Sequence, residues 1–225
     1  MRAYYIFLCL LCLMFLNQQV KSQDSIPILQ PVNLEMANPI DAAFYLEKEN
    51  KDYFFSQMVY FRLFNNQVDS GYPTKIQNGW KNLPQYWNTG IDAALRCEPN
   101  KKTIFFKGRE YFIIQNGHRV ATVPKKLPGE FKNLPRYFHS NIDAAVYLTT
   151  NHRMYLFKGN QYVRIKNNKV EQGYPKKLPG EFKKLPKEYC SDIDAVLHRN
   201  GDTFFYKNGQ YVKCRKITGF QKKLK

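Results

Sequence analysis

Ile91-Asp92-Ala93-Ala94 returns 51 residues later as Ile142-Asp143-Ala144-Ala145, and the same words stand at Ile40-Asp41-Ala42-Ala43 and, slightly altered, at Ile193-Asp194-Ala195-Val196. The aspartates at 41, 92, 143 and 194 therefore keep a constant step of 51. Tyr60, Tyr111 and Tyr162 keep that step, as do Pro73, Pro124 and Pro175, and again Pro84, Pro135 and Pro186. Several columns in phase over most of a chain mean one supersecondary unit used repeatedly, each copy burying its apolar face against the next.

Within a unit the pattern is β. An aromatic run such as Thr103-Ile104-Phe105-Phe106 follows the apolar start, and then a Lys-Gly turn at Lys107-Gly108 or Lys158-Gly159. Glycine there supplies the positive φ of a tight hairpin. Gln161-Tyr162-Val163-Arg164-Ile165 alternates like a half-buried strand. Gly173-Tyr174-Pro175 and a Leu-Pro-Gly-Glu-Phe stretch follow, where proline stops the ladder and a short helical turn is expected. Short strands repeated four times, with small alanines where sheets crowd an axis, predict an all-β, four-bladed β-propeller. Its repeats run over about 40–90, 91–141, 142–192 and 193–225. The last unit is shortened: Gln161 answers to Gln210, a step of 49, and no Gly-Tyr-Pro follows Tyr211. Its outer strand is expected from residues 217–220 or from the N-terminal arm, residues 26–34.

Residues 1–22 read as a secretory signal peptide, with Arg2 ahead of an apolar run and small or β-branched residues before the cut. Residues 23–39 form the arm and 40–225 the repeats. No later run is apolar enough for a membrane span, so a secreted, extracellular protein is expected. Removing Arg2 and Lys21 from the 35 basic residues leaves 33 against 18 acidic ones, a net charge of +15. Only Cys97, Cys190 and Cys214 lie beyond the signal. The core, rather than a disulfide framework, must therefore hold the fold.

Catalytic patterns are missing. His118, His139, His152 and His198 lie neither three to five residues apart nor in the same repeat phase, and there is no Gly-x-Ser-x-Gly elbow or phosphate loop. A non-enzymatic protein is expected. Cys97 reads as a buried thiol. Trp80 and Trp87 read as packing substitutions for Phe131 and Phe138.

Two sets of residues remain as candidate sites. Asp41, Asp92, Asp143 and Asp194 repeat around one axis. They either brace their strands by accepting backbone N–H bonds or bring oxygens to a hard cation such as Ca²⁺. The second set is basic: Lys125, Lys126, Lys132, Lys176, Lys177, Lys183, Lys184 and Lys187 crowd the connections between units. At equal radius on neighbouring blades they would attract sulfated glycans, anionic surfaces or acidic proteins. Nucleic acid is the weaker partner, because the signal peptide directs the chain outside the cell.

The Asp-Ala-Ala start, the aromatic second strand ending in Lys-Gly, the Tyr-x-Arg third strand and the Gly-Tyr-Pro turn resemble hemopexin-like repeats, over about residues 40–220. The resemblance implies a four-bladed propeller with each Asp-Ala-Ala on the strand lining a central channel. It also implies a structural channel cation, often with an anion deeper in, held mostly by backbone carbonyls at Asp41, Asp92, Asp143 and Asp194. Relatives often join first and last blades by a disulfide. The first repeat here has no cysteine, which leaves Cys190 and Cys214 as pairing candidates among three available pairs. Haem transport in this family uses two propellers and a linker, so haem is disfavoured in a chain with one. Metalloproteinases carry the domain beside a catalytic one, for which the residues before Ile40 leave no room. The expected function is extracellular recognition of polyanions or proteins. The alternatives are a carrier of haem or another small ligand, an extracellular protease regulator, and a venom-type secreted effector.

Overall fold

The computed structural model describes residues 30–31 and 39–215, and the predicted signal peptide and residues 217–220 lie outside them. A two-residue strand, β1 (Gln30–Pro31), precedes the repeats. Blade I holds β2 (Ala42–Leu46), β3 (Lys51–Ser56), β4 (Val59–Phe64), β5 (Gln67–Val68) and β6 (Thr74–Lys75). Blade II holds β7 (Ala93–Cys97), β8 (Lys102–Lys107), β9 (Glu110–Gln115), β10 (His118–Arg119) and β11 (Lys125–Lys126). Blade III holds β12 (Ala144–Leu148), β13 (Arg153–Lys158), β14 (Gln161–Lys166), β15 (Lys169–Val170) and β16 (Lys176–Lys177). Blade IV holds β17 (Ala195–Arg199), β18 (Asp202–Lys207) and β19 (Gln210–Arg215), with β1 added at its edge. The four-bladed propeller expected from the repeat is the observed fold.

All pairing within the blades is antiparallel, and the register repeats. Ala42 faces Phe55, Ala93 faces Phe106, Ala144 faces Phe157 and Ala195 faces Tyr206. Small residues on the innermost strand let four sheets converge, while the aromatic opposite each fills the widening gap. Phe55 stands edge-on to Phe105 with ring centroids 5.8 Å apart, and Phe157 meets Phe205 in the same way at 5.8 Å. Phe54 and Tyr206 close the ring at 5.2 Å between blades I and IV. Such pairs add about 0.5–1.5 kcal/mol each beyond their buried area. The core is thus a set of interblade layers.

The step of 49 in the last unit has a local origin. In blades I to III four residues join the first two strands, whereas Asn200-Gly201 alone joins β17 to β18, with φ of 53° and 82°. That is the two-residue hairpin whose twist suits paired strands. The missing outer strand is supplied by the N-terminal arm: Gln30 pairs with Tyr211 and Pro31 with Gln210. Proline fits because an edge strand need not donate outward.

Blade II departs at its rim. Blade I carries Asp69 bonded to Lys51 and Arg62, with Arg62 over the Tyr72 ring. Blade III repeats this as Glu171 with Arg153 and Arg164, and Arg164 over Tyr174. At the matching positions blade II has Ile113, Val120 and Val123, the last two 44% and 66% exposed.

Candidate functional site

The start of each innermost strand lines one mouth of the central channel, a funnel of about 480 Å³ bordered by Asp41, Asp92, Asp143 and Asp194. Each aspartate is held in the same way. Its N–H donates to the strand opposite, as Asp92 does to Phe106 at 2.9 Å and Asp143 to Phe157 at 3.0 Å. Its Oδ2 accepts from the next hairpin turn: from Gln57 N–H to Asp41 at 2.6 Å, Gly108 to Asp92 at 2.6 Å, Gly159 to Asp143 at 2.6 Å and Asn208 to Asp194 at 2.7 Å. The repeat in sequence is therefore a repeated brace between the first strand and the turn joining the next two.

Burial raises the pKa of Asp41, Asp143 and Asp194, and neighbouring carboxylates add to it: Asp92 and Asp194 act on Asp41, Asp192 and Asp194 on Asp143, and Asp192 on Asp194. Asp192 also lines the funnel. The sequence reading missed a second ring. Lys107 Nζ donates to Gly90 O at 2.7 Å, Lys158 to Ser140 O at 2.5 Å and Lys207 to Ser191 O at 2.6 Å. In blade I the Ser56 hydroxyl does this for Pro39 O at 2.7 Å. Lys107 and Lys158 were visible as the Lys-Gly turn, but their reach across to the incoming connection is a tertiary fact. Among the described residues, no three His, Cys, Asp or Glu side chains converge to hold a metal. All four repeated carboxylates brace the mouth through these bonds.

The basic set sits on the outer edge. Lys125-Lys126 form β11, with Lys125 opposite Tyr111, and Lys176-Lys177 form β16, with Lys176 opposite Tyr162. The two pairs thus occupy the same register on adjacent blades. Lys125 is bound by Glu130, and Lys176 by Glu181 at 3.3 Å while lying over the Tyr174 ring. Lys126, Lys132, Lys177, Lys183, Lys184 and Lys187 are exposed. None of these six enters an ion pair among the described residues.

The structure scatters the histidines. His198 is buried between two threonine hydroxyls, Nε2 3.0 Å from Thr149 Oγ1 and Nδ1 3.0 Å from Thr203 Oγ1. His139 Nε2 lies 2.9 Å from Leu134 O, and His152 Nδ1 is 3.4 Å from the Tyr147 hydroxyl. Cys97, Cys190 and Cys214 are free thiols, so the bridge between Cys190 and Cys214 is not formed. Both pack into the core layer between blades III and IV, where the Cys190 thiol donates to Pro186 O at 3.4 Å and burial pushes the Cys214 thiol up to about 11.

Residues 40–85 and 142–187 match the family model described as Hemopexin. The chain belongs to the hemopexin-like repeat family. The matched stretches are the first and third repeats. The second has Thr122-Val123-Pro124 in place of Gly-Tyr-Pro, and the fourth is shortened. Albumin-2 of Lathyrus sativus is 29% identical over 203 residues, covering 80% of this chain and 87% of that protein. The crystal structure of the hemopexin fold protein CP4 from cow pea superposes with a TM-score of 0.68 at 26% identity, covering 77% of this chain and 84% of that one. An albumin from Cicer arietinum, described as showing hemagglutination, gives 0.66 at 25% identity over 77% of this chain and 85% of that one. Matrix metalloproteinase-2 of Drosophila melanogaster is 30% identical over 67% of this hemopexin-like chain, but over only 19% of its own length. Relatives that match this propeller over most of their length include the albumins named Albumin-2 of Lathyrus sativus and Pisum sativum.

Proposed function

We propose that this hemopexin-like propeller is a secreted, non-enzymatic binding protein that holds anionic glycans on the lysine-rich edge of blades II to IV. The observation that carries the reading is the set of six exposed lysines, 126, 132, 177, 183, 184 and 187, none of them in an ion pair among the described residues. An ammonium with no carboxylate partner keeps its field for a ligand, and like fields on adjacent blades add at distances within a Debye length, about 8 Å in physiological salt. The hemagglutination ascribed to the Cicer arietinum albumin supports a glycan partner for this fold. Elution from immobilised heparin at clearly higher salt than from a sulfonate exchanger of equal charge density is the expected result. Equal elution would reduce the charge to a diffuse field and move protein or small-ligand recognition ahead.

The funnel carries a second, structural reading. Carboxylates crowded enough to raise one another's pKa make a negative mouth, and a hard cation there would take main-chain carbonyls as ligands. A melting temperature that rises with Ca²⁺ and falls with a chelator is expected. No response to either sinks this second reading.

A further inference from the structure

Three blades end their third strand in the same two-residue turn, closed by two residues directly opposite each other. In blade I, Phe64 faces Gln67 across Asn65-Asn66; in blade II, Gln115 faces His118 across Asn116-Gly117. In blade III, Lys166 faces Lys169 across Asn167-Asn168. The turn residues have positive φ throughout: 49° and 63°, then 53° and 80°, then 50° and 58°. The backbone is therefore the same, and only blade III places two like charges across it. Like charges directly opposite on a ladder are destabilising, with Cβ atoms about 5 Å apart.

A third lysine joins the pair. Lys132, in the connection from blade II, forms a parallel bridge to Lys169. Its N–H donates to Asn168 O at 2.7 Å, and its carbonyl accepts from Val170 N–H at 3.0 Å. Residues paired in a ladder present side chains to the same face, so Lys166, Lys169 and Lys132 make a row on three adjacent segments spaced by about 4.8 Å. All three are exposed. The nearby carboxylates are engaged elsewhere: Glu130 by Lys125 and, at 3.4 Å, by the Asn168 amide, and Glu171 by Arg153 and Arg164. None of the exposed large apolar side chains lies within residues 142–192, which carry Lys166 and Lys169.

We propose that Lys132, Lys166 and Lys169 form a dedicated site for ester-sulfate groups of a sulfated glycan, and that the like-charge pair is tolerated because the ligand neutralises it. This rests on the glycan reading above and goes beyond it by adding Lys166 and Lys169 to Lys132 as a shaped site within the diffuse edge. The test uses a fluorescein-labelled heparin dodecasaccharide, titrated at several salt concentrations against wild type, K166Q/K169Q and the charge-matched control K48Q/K75Q on blade I. The row variant should bind at least tenfold more weakly at physiological salt. Its slope of log affinity against log salt should be shallower by about 2, as two lost counterion-releasing contacts require. The control should lose less than about threefold by the same electrostatic argument. Lys169→Glu should lose heparin binding while raising the melting temperature, because the repulsion across the turn becomes attraction.

Equal losses in the row and control variants would overturn the site while leaving the glycan reading intact. Wild type that holds heparin no better than a sulfonate resin would overturn both. A row variant that keeps heparin but loses phosphatidylserine-containing vesicles would replace the glycan with a membrane surface. A Lys169→Glu protein that still binds heparin like wild type also sinks the proposal.

Discussion

Arg199 of blade IV donates to Asp52 of blade I, joining residues 147 positions apart across the seam where the ring closes. Arg199 also donates to Asn66 Oδ1 at 2.9 Å. Asp52 is buried, and its Oδ1 has no hydrogen-bond partner. The seam between blades II and III packs Cys97 and Met154 in one apolar layer, at the positions that correspond by the repeat to Arg199 and Asp52. Burial outweighs the pull of the Arg199 guanidinium and pushes the Asp52 carboxyl up to about 6. The pair thus joins the two ends of the ring, at a cost in desolvation.

A carboxylate whose folded pKa lies above its unfolded value near 3.9 contributes stability that is complete below about pH 4 and is lost as pH rises to about 6. Asp52→Asn keeps an acceptor for Arg199 and removes the buried charge. The variant should gain on wild type between pH 4 and 7 by up to about 3 kcal/mol, measured by urea unfolding at several pH values. An advantage that does not change with pH would refute the assignment.

His198 runs the other way. Burial lowers its pKa to about 4, so the unfolded chain binds more protons between pH 4 and 6.5, and stability is lost as pH falls through that window. His198→Gln removes the titration. It should be less stable than wild type at pH 7.5, where the two threonine bonds are complete, and the deficit should shrink toward pH 4. Urea midpoints for both proteins across that range check the convergence.

The braces at the funnel separate charge from hydrogen bonding. Asp143→Ala leaves the Gly159 N–H without its acceptor and should cost about 1–3 kcal/mol. Asp143→Asn keeps an acceptor and relieves crowding by Asp192 and Asp194, so its loss should be below about 1 kcal/mol. Equal losses in thermal melts would mean that the charge itself matters.

Two glycines distinguish backbone strain from crowding. Gly173 has φ of 82° and open space around it, so Gly173→Ala should cost about 1–2 kcal/mol. At Gly180, φ is 50° and an added Cβ would lie 2.3 Å from Tyr162 Oη and 2.9 Å from Lys177 O. Tyr162 cannot yield freely, because its hydroxyl accepts from Glu181 N–H at 2.9 Å. Gly180→Ala should therefore cost roughly 3 kcal/mol or more, the excess being overpacking. Similar melting temperatures for the two variants would contradict this account.

The arm is a latch of two ladder positions. Deleting residues 23–36 should lower the melting temperature by about 3 °C for each kcal/mol it contributes. A melt unchanged by the deletion would show that the pairing of Gln30 with Tyr211 adds nothing to closure.

The repeat at Asp41, Asp92, Asp143 and Asp194 was enough to predict the propeller, because four in-phase units of short alternating strands bury their faces only by radial stacking. The shared radius of Lys125 and Lys176 followed from the same symmetry. What the aspartates hold did not, because a carboxylate pattern reads alike whether it grips an amide or a cation. Nor did the neutralisation of Lys125 by Glu130, the location of the deletion at Asn200-Gly201, or the arrival of Lys132 beside Lys169. A period in sequence fixes which residues are equivalent around the axis. Only tertiary structure decides which inequivalent residues, such as Arg199 and Asp52, are brought together where the ring must close.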